Sequence, residues 1–247
     1  MSWFGRILGK LTNPKSKYVT PGLEEKLKPS APLTDSDEQK MRRRESEIRL
    51  RGEGIPLNSD LPDVPAASDV SLRSSREVAD RALALTLVGM KAHGMDHEVM
   101  LEIVRERAAE NCFTADEHAF IMTPAPAPAD LERFASSFEA AWALIWALRL
   151  VREPLSTPRD VCNFDRLIEI VRDTPDLSIY DLRRPCRILD KLDLFLRYDW
   201  AVKQAARNGI KPPSHLNPAV AMERYHALSW LTCQIDYENW EDDALAA

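Results

Sequence analysis

Apolar residues recur three and four positions apart along most of the chain, and no stretch alternates apolar and polar residues over a strand's length. Trp3, Phe4, Ile7, Leu8 and Leu11 form a first short stripe, with Arg6 and Lys10 away from it. Residues 12–35 spread Pro14, Pro21, Pro29 and Pro32 through polar sequence and read as a linker. From Asp35 to Arg51 the pattern is charged and helical. Asp35 with Glu38 resembles a capping box, and Gly52 and Gly54 close the run. Residues 55–68 are a Pro-rich loop. The next helices are expected from about Arg76 to His93 and, capped by Asp96, from His97 to Glu110. A short helix follows the capping box of Thr114 and Glu117, and Pro124, Pro126 and Pro128 make an extended connector.

Asp130 to Val151 is the strongest candidate for a core helix. Phe134, Phe138, Trp142, Ile145 and Leu148 share one stripe, and Ala140 to Leu148 is apolar all round, the pattern of a helix buried on every side. Thr157-Pro158 is expected to open a helix through about Arg172. Pro185 opens another to Asn208, closed by Gly209, and Asn217-Pro218 opens the last, to about Tyr237. The pattern therefore predicts an all-α protein: an amphipathic segment at 1–11, a Pro-rich linker at 12–35 and a single compact domain of about seven to nine helices over 36–243.

Composition narrows the function classes. Hydrophobic residues make up 45% of the 247, enough for a core. With 33 basic and 39 acidic residues the net charge is −6, which argues against a nucleic-acid binder and favours a basic partner. Cys112, Cys162, Cys186 and Cys233 are far apart and include no C-x-x-C, so idle thiols in a reducing cytoplasm are expected. Met1 to Leu11 lacks the apolar core of a secretory signal. Ala140 to Leu148, the most apolar stretch, falls far short of the roughly 20 residues of a spanning helix. Membrane contact is expected to be peripheral at most, at the inner membrane surface. Trp3, Phe4, Ile7, Leu8 and Leu11 would make it, and the alternatives for that segment are docking on a partner or on its own domain, or no fixed structure.

No set of residues spells out a reaction. His93 and His97 straddle a helix junction and lack the H-E-x-x-H glutamate. Glu223 and His226 form a lone E-x-x-H, where a dinuclear site needs two such pairs and further glutamates. No metal and no cofactor is expected. There is no G-x-G-x-x-G, Walker A or G-x-S-x-G. Two clusters stand out. Asp190, Asp193 and Arg197 lie at steps of three and four on one helix, and Glu139, Glu223 and Arg224 are expected to face the same core. The arginines would hold the acids ionised in a charge network. Trp142, Trp146, Trp200 and Trp230 are core filling or, alternatively, an aromatic pocket. Arg42, Arg43 and Arg44 read as a solvated helix face or, alternatively, as a contact for an acidic partner.

The segment from Ile188 to Leu194, with Arg197 and Trp200-Ala201, resembles a signature of the bacterial domain-of-unknown-function family 4272. So, in order, do Arg42 to Arg44, Gly54-Ile-Pro56, Leu61-Pro62, Leu72-Arg73, Glu77 to Leu83, Glu139 with Trp142 to Leu148, Glu223 to Leu231, and Trp240 to Asp243. Arg149 stands where the family pattern has glycine, Ser229 replaces an asparagine, and Tyr225-His226 is swapped. The resemblance implies a helical domain and assigns no residue a role. The expectation is a non-catalytic domain acting by protein–protein interaction, as an adaptor or a neutraliser of an effector. The alternative is an enzyme or small-molecule binder built on the carboxylate, arginine and tryptophan cluster.

Overall fold

The computed structural model describes residues 34–234; the Trp3–Leu11 segment, the linker through residue 33 and Trp240 lie outside them. Among the described residues all regular structure is helical. The helices are α1 (Asp35–Gly52), α2 (Ser75–Ala92), α3 (His97–Glu106), α4 (Ala115–Met122), α5 (Pro128–Phe134), α6 (Ser137–Ala147), α7 (Phe164–Asp173), α8 (Pro185–Arg207) and α9 (Pro218–Leu231). Ala67–Asp69, Leu177–Ile179 and Pro213–His215 are short 3-10 turns.

Helix α6 occupies the middle because nothing on it needs water. Every residue except Trp142 is buried, and Ala140, Ala141, Ala143 and Ala147 have no exposed surface. Their small side chains let α2 pack on one side of α6 and α9 on the other. Helix α8 packs against α9, and α1 lies on α8. Each large aliphatic side chain buried here contributes roughly 1.5–3 kcal/mol. Gly89 of α2 is required by this packing: a Cβ there would lie 2.3 Å from Cε1 of Phe138.

Several boundaries differ from expectation, each for a local reason. Thr34, not Asp35, caps α1, and Asp37 closes the box, which leaves Glu38 to pair with Arg42. Helix α3 ends at Glu106, because Ala108 turns left-handed at φ 49°. The single helix expected over 130–151 is two: at Ala135 the ladder tightens to an i−3 bond on Glu132, and α6 starts afresh at Ser137. Thr157-Pro158 does not start α7. Thr157 Oγ1 donates to Glu53 (2.7 Å) and accepts from Arg49 (3.1 Å), and Asn163 caps the helix instead. Helix α9 stops at Leu231. Arg73 binds its end through N to Leu231 O (3.0 Å) and Nε to Trp230 O (2.9 Å). The Arg42–Arg44 run is not simply a solvated face. Arg42 is buried, and Arg43 holds the following loop through Leu61 O and Asp63.

Helix α6 ends in a left-handed turn: Leu150 N reaches back to Ile145 O (3.2 Å) and Arg149 adopts φ 64°. This is the glycine position of a helix C-terminus. Glycine, the residue that the resemblance leads one to expect at position 149, suits this turn. A side chain held in this conformation costs about 1–2 kcal/mol, part of which glycine returns through its freer unfolded state. Arg149→Gly is therefore expected to stabilise the domain by about 1 kcal/mol and raise Tm by about 2–4 °C in a thermal melt. An unchanged or lower Tm would show that no strain resides there.

Candidate functional site

The candidate polar residues separate into local pairs rather than one cluster, because α8 turns its charged face to α1 while α6 and α9 face each other. On α8, Arg197 grips Asp193 with two bonds (Nε 3.0 Å, Nη2 2.8 Å), both residues buried. Asp190 accepts from Arg42 of α1 at 3.2 Å. Between α6 and α9, Arg224 donates to Glu139 from Nε (2.9 Å) and Nη2 (2.7 Å). The other oxygen of Glu139 takes the backbone N–H of Cys162. Each of these carboxylates is therefore engaged by an arginine.

A further buried pair carried no local signal in the sequence. Arg81 of α2 binds Glu117 of α4 with two bonds of 2.6 and 2.7 Å. Glu117 was legible as the closing residue of a capping box, and it does accept from Thr114 N at 3.0 Å. That the same carboxylate also neutralises an arginine 36 positions away depends on how α2 and α4 cross.

Glu223 is the exception among the acids. It is half-buried beside the Arg81–Glu117 and Arg224–Glu139 pairs, and the hydroxyl of Ser136 donates to it at 3.0 Å. Burial pushes its carboxyl up to about 7, with Glu139 and Glu117 adding to the rise against Ser136 and Arg81. Burial pushes His226 down to about 4, and Arg81 and Lys203 reinforce the shift. Ser136 also lines a largely apolar cavity of about 340 Å³ with His93, Phe138, Cys162 and Phe164. Burial, first, and Glu139 beside it raise the Cys162 thiol well above its ordinary range, so it is not a nucleophile at neutral pH.

The tryptophans do not converge. Trp230 is buried under the guanidinium of Arg73, 4.4 Å from the ring centre. Trp142 and Trp200 are partly buried against the core. Trp146 alone of the four lines the larger cleft, where Arg183 lies 4.6 Å over its ring.

That cleft, of about 460 Å³, is the most distinctive surface feature. Helix α1 forms one wall, with Arg42, Glu45 and Arg49 on one face two turns apart. Helix α8 forms the other, with Arg187, Asp190, Lys191 and Leu194 at helical spacing. Arg152 and Pro154 enter from the segment after α6, and Arg183 from the residues before α8. Six cations thus face two acids in a protein whose net charge is −6. Arg42 is neutralised by Glu38 and Asp190, and Arg49 by Glu53 at 3.0 Å. The guanidinium of Arg183 donates to the carbonyls of Trp146 (2.7 Å) and Val151 (2.6 Å). Lys191 Nζ donates to Leu155 O at 3.0 Å. Arg187, three-quarters exposed, comes no closer than 3.8 Å to Asp190. Burial lowers Lys191 to about 8, and Arg49 and Arg187 add to the fall. Arg183 is lowered in the same way, by burial and then by Arg149 and Arg187. Sequence reasoning missed this site because its cations come from four separate segments; only Arg187 and Lys191 share an i,i+4 step within one helix.

No curated protein and no solved structure matches the chain. The residues of the resemblance fall largely on the internal framework: Arg81, Glu139, Arg197 and Arg224 sit in buried ion pairs, the buried Arg42 binds the partly exposed Asp190, and Gly54 takes a left-handed φ of 71°. Residues 42–243 match the profile of a domain of unknown function, DUF4272, over most of the chain, and the protein belongs to that family.

Proposed function

We propose that this is a non-catalytic domain that acts by holding another protein, as an adaptor or neutraliser, with the cleft between α1 and α8 as its contact face. The observation that carries the reading is the unbalanced charge. Among the described residues, Arg152, Arg183 and Lys191 have no carboxylate within ion-pair distance, and Arg187 has only the distant Asp190, already engaged by Arg42. Crowded like charges raise the energy of the free protein, and an anionic partner relieves that cost. The net charge of −6 favours a basic partner at long range. At contact distance the local field governs, and the segment that enters this cleft is acidic. The four free cysteines and the lack of any described helix long and apolar enough to cross a membrane suit a cytoplasmic setting.

The test is affinity purification of the full chain from its native host beside Arg152→Glu/Arg187→Glu. A stoichiometric partner should accompany the wild type and be lost from the double variant. Recovery in equal amount on both, or on neither, overturns the reading. The alternative of a small-molecule site has one observation in its favour. Glu223 lies free of a direct arginine contact, behind the Ser136 hydroxyl on the apolar cavity wall.

A further inference from the structure

We infer that the cleft contains a subsite for a phosphate monoester dianion, held by Arg152, Arg187 and Lys191 and carried on the partner's contact segment. This rests on the cleft being the contact face, and it names the chemistry that the face selects. The argument is one of charge and donors. Four cations in the cleft lack a bonded carboxylate, and Glu45 is the one lining acid besides Asp190. One carboxylate would leave most of this charge uncompensated, whereas a phosphate monoester brings a charge of about −1.5 to −2 and three acceptor oxygens.

The donors suit that shape. Arg152 and Arg187 are exposed, and neither guanidinium has a hydrogen-bond partner among the described residues. Their planar forks match phosphate oxygens in pairs, which a lone ammonium does not. Arg187 and Lys191 stand one turn apart on α8, and Arg152 arrives from the segment after α6. The site is therefore approached from two sides of one concavity. Arg183, whose Nε and Nη2 already bind backbone carbonyls, contributes mainly to the field. Burial first, and the neighbouring cations after it, lower the affinity of Lys191 and Arg183 for their protons, and a bound dianion would oppose that fall.

The experiment is titration of the full chain with inorganic phosphate, O-phosphoserine and glutamate at one ionic strength, followed by amide NMR shifts. The same titrations are run on Arg152→Gln/Arg187→Gln, whose side chains are exposed and whose Tm should match the wild type. O-phosphoserine is expected to bind at least about ten-fold more tightly than glutamate, with that preference lost in the variant. Inorganic phosphate should move the same residues. Equal affinity for O-phosphoserine and glutamate, or an unchanged preference in the variant, overturns the subsite. Phosphate binding several-fold tighter than O-phosphoserine overturns its placement on a partner and assigns it to a free anion. A partner captured by the cleft without phosphate selectivity would sink this inference alone. Phosphate selectivity without a captured partner would sink the proposed function and leave the subsite.

Discussion

Glu117→Ala is expected to destabilise the domain by about 3–5 kcal/mol, while Arg81→Met combined with Glu117→Leu is expected to come out near neutral. The single change leaves Arg81, only 1% exposed, inside the protein without the carboxylate that accepts two of its bonds. Removing one member of a buried pair costs far more than the pair is worth. The survivor keeps its desolvation penalty and loses the attraction that offset it. Replacing both members by apolar residues of similar volume removes both penalties. Glu117 also closes the cap of α4, and Thr114→Ala isolates that smaller contribution, at about 1 kcal/mol. Urea unfolding of the three variants at neutral pH checks the ranking. A loss under about 1 kcal/mol in Glu117→Ala would mean that Arg81 finds compensation elsewhere.

Glu223→Gln is expected to stabilise the protein at pH 8 and to steepen the rise of its stability with pH below neutrality. In the folded chain the Glu223 carboxyl is raised from 4.5 to about 7. Between those values the folded state holds a proton that the unfolded state has released. Its stabilising effect is therefore complete below about 4.5 and is lost as pH rises through about 7. The full shift corresponds to about 3 kcal/mol, and the half-buried position of the side chain reduces it to about 2. His226 acts in the opposite sense. Its folded value falls from 6.5 to about 4, so the unfolded state binds the extra proton and stability rises with pH across that window. The two slopes oppose each other over most of the acidic range. With glutamine at 223 the hydrogen bond from Ser136 is retained and only the titration disappears, leaving the upward slope of His226. Denaturant midpoints at pH 5 and pH 8 decide the matter: parallel changes in wild type and variant would mean that Glu223 does not titrate differently on folding.

The caps and breaks of the sequence read through to the structure wherever their physics is local. Asp96, Thr114 with Glu117, Pro185 and Asn217-Pro218 all begin helices where expected, because each satisfies backbone N–H groups within a few residues of itself. The failures are equally specific. Thr157-Pro158 has the composition of a helix start, yet its hydroxyl is drawn into the Glu53–Arg49 pair. The apolar run after Asp130 gives no sign of its break at Ala135, since both halves are good helix. For Asp190, Asp193 and Glu139 the expected neutralisation by arginine is present, with partners that the chain order does not reveal for Asp190, which goes to Arg42, and Glu139, which goes to Arg224; Glu223 has no arginine and takes the Ser136 hydroxyl instead.

The pattern along the chain was enough for the all-α class, most helix starts, the buried character of α6 and the turns at Gly54, Gly94 and Gly209, though not for the left-handed turns at Ala108 and Arg149. These depend on spacing, capping and backbone conformation, which act over a few residues. Which arginine neutralises which acid, and which cations remain unneutralised in the cleft, follows from helix packing. A charge is compensated by whatever lies a few ångströms away in space. For Arg42 and Asp190, 148 positions apart in the chain, that neighbour exists only once α1 has packed on α8.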